Sequence, residues 1–136
     1  MALRLSGKVL AFVRTERVAR VATVGRNRKP HNVPVCTVAV NGRIYFASGR
    51  AAQKVHNIRS HPQVAVTFDR YSEDWKRLAG AMITGEASII ESGAQFRRAR
   101  KALYRKYQPY ARVAPIAEGE SVIVVIKPTG SFSWGL

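Results

Sequence analysis

The residues best suited to chemistry are those that could hold an anion, and they lie in the segment Ser48-Gly-Arg-Ala-Ala-Gln-Lys54. This segment is predicted to join the end of a strand to a helix that begins near Ala51. Free backbone N–H groups and the positive end of the helix dipole favour a phosphate at such a junction. The Ser48 hydroxyl and the Lys54 ammonium could add direct contacts. The alternative is a basic loop in which Ser48 only caps the helix.

The remaining candidate groups point to structural roles. His31, His56 and His61 have no acid or nucleophile at a recognised catalytic spacing, so no triad is predicted. The single cysteine, Cys36, lies in a valine-rich run and is predicted to be a small buried apolar residue. No cluster of histidine and cysteine has metal-ligand spacing, so we expect no metal site. Trp75 stands among charges and is either a lid over a pocket or a ring packed on the core.

Charge is the unusual feature of the composition. The 136 residues include 23 Lys and Arg against 8 Asp and Glu, a formal net charge of +15. This excess favours an anionic partner, either nucleic acid or a cofactor with phosphate or several carboxylates, and it also fits a solvated arginine-rich surface. The basic residues from Arg97 to Lys106 are predicted to form a solvated helix face, with a nucleic-acid surface as the alternative.

Length and hydropathy predict a single domain over residues 1–136, because 46% hydrophobic content is enough for one core. No run of about 18 apolar residues occurs, and basic residues interrupt the N-terminal segment, so neither a membrane span nor a signal peptide is predicted. We therefore expect a cytoplasmic protein without membrane contact. A lone cysteine excludes an internal disulfide.

Hydrophobic periodicity and turn residues predict the elements that position these groups. In chain order they are a helix over Leu3 to Arg14, strands over Arg17 to Val24, Val33 to Val40 and Arg43 to Ala47, a helix from near Ala51 to His61, strands over Val64 to Phe68 and Ala81 to Ile90, a helix from Ser92 to Tyr107, a loop over Pro109 to Gly119, and a strand over Ser121 to Lys127. Asn41-Gly42 predicts a type I′ hairpin. Ser92 and Gln95 have the spacing of a capping box, and Pro128 is expected to stop the last strand.

This order predicts a protein that is mainly β with α, with six strands and two or three helices. The last strand is a near-continuous β-branched run, which is typical of a central strand buried on both faces. Because antiparallel hairpins dominate over crossovers, we expect a small antiparallel barrel.

Five segments lie in an order and spacing typical of one family. They are Arg17-Val-Ala-Arg-Val-Ala-Thr23, Lys29-Pro-His-Asn-Val-Pro-Val35, the strand Tyr45 to Ser48 leading to Lys54-x-x-Asn57-x-Arg59-x-x-Pro62, Asp74-Trp-Lys-Arg-Leu78, and Phe132-Ser-Trp-Gly135. With them the chain resembles the pyridoxamine 5'-phosphate oxidase-like, FMN-binding split barrels, and within these the coenzyme F420-dependent oxidoreductase group. The resemblance covers most of the chain and implies a six-stranded antiparallel split β-barrel that works as a homodimer.

The resemblance also implies a cofactor site. Ser48 and Lys54 would hold the cofactor phosphate, and they are the same pair that the helix-terminus argument selects. The ring system would lie along the strand from Asn32 to Thr37, and the second subunit would complete the pocket. The residues expected at the cofactor are Asn32, Pro34, Val35, Thr37, Ala47, Ser48, Gln53, Lys54 and Trp75.

The cofactor that the resemblance implies is F420, a deazaflavin, with FMN as the alternative and haem also open from related barrels. Members that bind FMN commonly carry an arginine just before the lysine, where this chain has Gln53. The deazaflavin coenzyme has a phosphate and an oligoglutamate tail. A groove rich in Lys and Arg suits that tail better than it suits the single phosphate of FMN.

By resemblance, the reaction is hydride transfer between the cofactor ring and a small unsaturated or aromatic substrate. Because the cofactor supplies the difficult chemistry, no catalytic side chain is assigned, and Trp75 would line the substrate side. The alternatives are a cofactor carrier and a nucleic-acid-binding barrel, neither of them catalytic. Nucleic acid is disfavoured because aromatic residues do not alternate with basic residues on a predicted sheet face.

Overall fold

Residues 3–136, which the computed structural model describes, form one antiparallel sheet with helices packed against it. The helices are α1 (Gly7–Thr15), α2 (Gln53–Ser60), α3 (Ala94–Lys106) and α4 (Tyr110–Val113), and Trp75–Arg77 forms a 3₁₀ turn. The strands are β1 (Ala19–Val24), β2 (Pro30–Val35), β3 (Thr37–Val40), β4 (Arg43–Gly49), β5 (Gln63–Arg70), β6 (Ala79–Ile90) and β7 (Ser121–Trp134). Across the sheet the strand order is β2-β1-β5-β6-β7-β4-β3.

The two edge strands of the sheet are neighbours in the chain. Only Cys36 separates β2 from β3, although they lie at opposite edges of the sheet. This short connection draws the edges together and curls the sheet into an open barrel. The sequence predicted one strand over this run, but β2 pairs with β1 whereas β3 pairs with β4, so the run divides at Cys36. The described residues therefore form seven strands, and the prediction of six was wrong.

Two hydrophobic clusters stabilise the barrel. The inner cluster joins the concave faces of the strands to α1, which contributes Phe12 and Val13. The outer cluster lies beneath α3, where Phe96 and Leu103 are fully buried. Alternate residues of the first half of β7 contribute to both clusters, so this strand is buried on both faces, as predicted.

The helices differ from the prediction in number and in capping. Residues 3–136 contain four α-helices rather than two or three, because α4 forms inside the predicted loop. The first helix begins only at Gly7, where the Ser6 hydroxyl accepts a hydrogen bond from the Val9 N–H at 3.3 Å. The predicted capping box of α3 is wrong, because Gly93 is the N-cap at φ 96° and Gln95 donates to the Tyr45 hydroxyl instead.

The last strand continues past Pro128, where the sequence predicted its end. Pro128 pairs with Gly85 next to a register shift in the β6–β7 ladder, and such an irregularity tolerates a residue without an N–H. The strands approach closely at this point. A Cβ on Gly85 would lie 2.5 Å from Ile126 Cγ2, so the close approach requires glycine. This extension carries Phe132 and Trp134 along the first half of β6.

The hairpin between β3 and β4 is confirmed. Asn41 and Gly42 both have positive φ, 51° and 76°, as a type I′ turn requires. Among the helices of residues 3–136, none has the length and apolar character needed to cross a membrane.

Candidate functional site

The predicted anion site lies where β4 ends and α2 begins. Ser48 pairs with Val122 across the β4–β7 ladder, and its side chain is only 8% exposed. After Gly49 the chain turns sharply, because the Ala52 N–H donates to the Gly49 carbonyl at 3.2 Å. This turn places the first residues of α2 directly beyond the end of the strand.

Among residues 3–136, no side chain caps the N-terminus of α2. The N-cap is Ala52, which has no side-chain acceptor, and the Ser48 hydroxyl donates to the Gly49 carbonyl at 3.0 Å. The alternative in which Ser48 only caps the helix is therefore wrong. The Val55 N–H donates to the Ala52 carbonyl at 3.0 Å, so the N–H groups of Gln53 and Lys54 are those available to an anionic ligand.

Two cations lie at this junction: Arg50 pairs with Glu91 and donates to the Gly119 carbonyl, and the other is Lys54. Lys54 is half-buried, and within residues 3–136 it forms no ion pair and no side-chain hydrogen bond. Burial lowers the pKa of the Lys54 ammonium, because the charged form is partly removed from water. An anion at the junction would stabilise the charged ammonium and so oppose the effect of burial.

Gln53 is oriented by a polar network that ties α2 to β1. Its amide donates to Asn57 Oδ1 at 2.8 Å, and Asn57 Nδ2 donates to Thr23 Oγ1 at 3.0 Å. Asn57 is only 3% exposed, so this network is internal. It fits closely against the β1–β2 turn, since a Cβ on Gly25 would lie 2.4 Å from Asn57 Oδ1. Gln53 is thus held at the edge of the junction.

A basic groove continues from Gln53 across the outer side of α2. It has a volume of about 450 Å³, and the residues Arg26, His56 and Arg59 contribute to its lining. Arg59 Nη2 also lies 3.8 Å from Glu91 Oε1. Sequence reasoning did not assign Arg26 or Arg59 to the site. The basic turn from Gly25 to Pro30 was the available signal, but nothing in the sequence indicated that it lies against α2.

The predicted ring-binding stretch divides between two faces of the sheet. Asn32 and Pro34 are exposed on the outer face of β2, whereas Val35 belongs to the inner core. Thr37 lies opposite Phe46, close to Ala47 and the end of β4. It is fully buried, and its hydroxyl has no hydrogen-bond partner in the described part of the chain. The strand register therefore brings the β2–β3 corner next to the end of β4.

The end of α3 holds this corner in place. The Tyr107 hydroxyl accepts from the Thr37 N–H at 3.0 Å, and it lies 2.8 Å from the carbonyl oxygens of Thr37 and Arg17. Lys106 Nζ donates to the carbonyls of Thr37 and Glu16 at 2.8 and 2.9 Å. Burial raises the pKa of the Tyr107 phenol to about 12. Burial, followed by the charge of Arg17, lowers the pKa of the Lys106 ammonium.

Trp75 lies far from this junction on its own chain. It belongs to the connection between β5 and β6 and is 72% exposed, so it does not pack on the core. Since β4 and β6 are both antiparallel to β7, they run in the same direction. Ser48 lies at the carboxyl end of β4, whereas Trp75 precedes the amino end of β6, so the two residues are at opposite ends of the sheet.

The other titratable candidates have separate environments. His31 lies opposite Thr23 on the inner face, and its Nδ1 is buried without a partner. His56 is exposed on α2, and Cys36 is a partly buried free thiol. Residues 3–136 contain no group of three or more His, Cys, Asp or Glu side chains arranged for a metal ion.

The chain is similar to known proteins in sequence and in fold. The family described as pyridoxamine 5'-phosphate oxidase matches the chain over residues 5–135. The 5a,11a-dehydrotetracycline/5a,11a-dehydrooxytetracycline reductase of Streptomyces rimosus is 30% identical over 100 residues, which cover 67% of this chain and 68% of that protein.

Two solved structures are similar in fold. A conserved hypothetical protein from Mycobacterium tuberculosis has a TM-score of 0.82 at 21% identity, covering 98% of this chain and 86% of that one. The heme storage protein HutZ from Vibrio cholerae has a TM-score of 0.79 at 14% identity, covering 96% and 94%.

The Tyr107 contacts predict a pH-dependent contribution to stability. We expect Tyr107→Phe to lower the free energy of unfolding by about 1–3 kcal/mol at pH 8, because the Thr37 N–H is left without an acceptor. The folded-state pKa of Tyr107, about 12, lies above the ordinary value of 10.0. Its stabilising contribution is therefore complete below pH 10 and is lost as the pH rises towards 12. Urea unfolding at pH 8, 10 and 11 should show the gap between wild type and variant narrowing.

Burial lowers the pKa of the Lys106 ammonium, so its contribution to stability changes with pH in the opposite sense, but Lys106 is present in both proteins and its effect largely cancels in the comparison. Tyr71→Phe is the matched control, because Tyr71 is 65% exposed. This control should match the wild type at pH 8. A Tyr107→Phe deficit of the same size at every pH would contradict the prediction.

Proposed function

This chain belongs to the pyridoxamine 5'-phosphate oxidase family, and from that premise we propose that it is an oxidoreductase that binds a phosphate-bearing deazaflavin or flavin at the β4–α2 junction. One observation carries the proposal: within residues 3–136, the half-buried Lys54 has no ion-pair partner and stands at a helix N-terminus that no side chain caps. A phosphate would be met by N–H groups, a helix dipole and an ammonium at once. The Ser48 hydroxyl could turn towards the same ligand.

We propose F420 as the cofactor, with FMN as the alternative. The basic groove along α2 begins at Gln53 and carries Arg26 and Arg59, which suits an oligoglutamate tail beyond the phosphate. Gln53 itself donates within α2 and adds no charge where FMN-binding members commonly have arginine. The likeness to the heme storage protein is one of fold, and haem remains a third ligand to be tested.

The ring would lie along the edge strand β2. An edge strand has backbone N–H and C=O groups that no neighbouring strand uses, and these can hydrogen-bond a planar heterocycle. Asn32 and Pro34 are exposed on this strand and could contact the ring face. When bound, the deazaflavin would supply hydride transfer, and the chain would fix the ring, neutralise the phosphate and exclude water. The reductase activity of the Streptomyces relative on a dehydro substrate supports a small unsaturated substrate here.

We further propose that the protein is a homodimer whose second copy completes the pocket. The outer face of β6 and β7 carries Phe132 and Trp134, which are 63% and 39% exposed with ring centroids 5.8 Å apart. Trp75 is exposed at the end of the sheet opposite Lys54. A second copy packed antiparallel on this apolar face would cover the aromatic rings. It could also bring the partner subunit's Trp75 to the cofactor.

We predict that Lys54→Ala weakens binding of F420, or of FMN if that is the ligand, by about 1.5–3 kcal/mol, the usual range for a hydrogen bond to a charged group. Lys54→Arg should retain part of the affinity. Fluorescence titration of the cofactor measures both variants. Lys101→Ala, which removes an exposed lysine from α3, is the matched control and should leave the affinity unchanged. Equal affinity for Lys54→Ala and the control would remove Lys54 from the site.

We predict that F420 binds more tightly than FMN and that its advantage shrinks as salt rises. The tail contacts are exposed and are screened over a Debye length of about 8 Å at physiological ionic strength, whereas the phosphate contact is partly buried. Calorimetric titration of both cofactors at low and high salt measures the two contributions. When its glutamates are removed, the deazaflavin should differ from FMN in affinity by an amount that depends little on salt. Tighter FMN binding at every salt concentration, or haem binding in place of both, would overturn the assignment to F420.

We predict a dimeric mass by size-exclusion chromatography with light scattering at micromolar concentration. Phe132→Glu should shift the protein towards the monomer, because it places a charge in the proposed interface. Ala11→Glu is the control, because Ala11 is exposed on α1, which packs against the inner cluster rather than on the outer face of β6 and β7. A strictly monomeric wild type would exclude the dimer, and it would leave phosphate binding at Lys54 to be judged separately.

A further inference from the structure

A second groove lies away from the cofactor junction. The segment before α1, the β3–β4 turn and the middle of β7 enclose about 410 Å³. This volume is within the range of small-molecule sites, about 300–1,000 Å³. The groove has an apolar part, formed mainly by Leu3, Leu5 and Leu10, and three cations, Arg4, Arg43 and Lys127.

The groove is built by the docking of the N-terminal segment onto the barrel. The Leu3 N–H donates to the Pro128 carbonyl at 2.8 Å, which fixes this segment along β7. Leu5 is 7% exposed and belongs to the inner core, whereas Leu3 is 39% exposed. The apolar surface is therefore recessed at its base and open at its edge.

The groove contains three cations and no acid, and Glu86, which lies opposite Lys127 in the β6–β7 ladder, forms no ion pair with it within residues 3–136. None of the three cations forms one of the ion pairs of this part of the chain. Arg43 and Lys127 are half-buried, so their charges are only partly solvated. Like charges around a partly apolar groove repel one another, and a single anion would relieve that repulsion.

We propose that this groove binds a small amphiphilic anion, a carboxylate with an apolar chain. The chain would lie on the leucines, and the carboxylate would be met by Arg43 and Lys127, with Arg4 at the rim. Because the apolar surface is recessed rather than protruding, the occupant is a free molecule and not a lipid bilayer. The site is separate from the cofactor junction, since Arg43 and Ser48 are at opposite ends of β4, about 17 Å apart at strand spacing.

Calorimetric titration with decanoate, below its micelle concentration, tests the proposal on the wild-type protein. Decanol keeps the chain without the charge, and acetate keeps the charge without the chain. We expect decanoate to bind at least about tenfold more tightly than either, because both halves of the groove contribute. Equal affinity for decanol and decanoate would overturn the proposal. So would binding to anionic phospholipid vesicles without any binding of decanoate.

Variants then locate the site. The double variant Arg43→Gln with Lys127→Gln should lose at least about tenfold in decanoate affinity, as expected for two charge-assisted contacts. The control is Arg98→Gln with Lys101→Gln, which removes the same charge from the exposed face of α3 and should leave the affinity within about twofold. Equal losses in both double variants would show a non-specific charge effect and overturn the site. Lys54→Ala should leave decanoate binding intact, which separates this site from the proposed cofactor.

Discussion

The barrel depends on the hydrogen bonds that the Tyr107 hydroxyl forms with Thr37 at the corner between β2 and β3. The strands β2 and β3 form the two edges of the sheet, and the chain passes from one to the other through Cys36 alone. This corner exposes backbone groups that no ladder can pair. The phenol accepts from the Thr37 N–H, and the Lys106 ammonium donates to the carbonyls of Thr37 and Glu16. The end of one helix thus replaces the strand pairing that is missing where the barrel closes.

The hydrogen bonds at the β2–β3 corner also position the candidate site. The β2–β3 corner is in register with the end of β4, so its position sets the distance between the edge strand and the β4–α2 junction. At the junction, Gln53, Asn57 and Thr23 tie α2 to β1, the strand that pairs with β2. The proposed phosphate site and the proposed ring site are therefore parts of one connected scaffold, joined through the sheet rather than through a flexible loop.

Local signals in the sequence predicted local structure well. Asn41-Gly42 predicts its hairpin because positive φ is a property of those two residues, and Pro62 ends α2 for an equally local reason. The division of the strand run at Cys36 has no local signal, because the alternation continues and only the partners change. The passage of β7 through Pro128 depends on a register shift opposite Gly85, which is distant in sequence. The groove beside α2 was missed for the same reason, since Arg26 reaches it only through the fold.

The contacts of the basic side chains change what the net charge of +15 implies about anionic partners. Several cations act as donors to backbone carbonyls, as Lys106 does to Thr37 and Arg100 does to Ile116. Such contacts crosslink loops and helix ends without any carboxylate, so they raise the charge of the chain without implying an external anion. Composition therefore overstates the number of sites for an anionic partner. A half-buried cation with neither carbonyl nor carboxylate is the more informative signal, because its desolvation is not offset within residues 3–136. Lys54 meets that criterion at the junction of β4 and α2, which is why one lysine carries more of the functional argument than the whole basic surface.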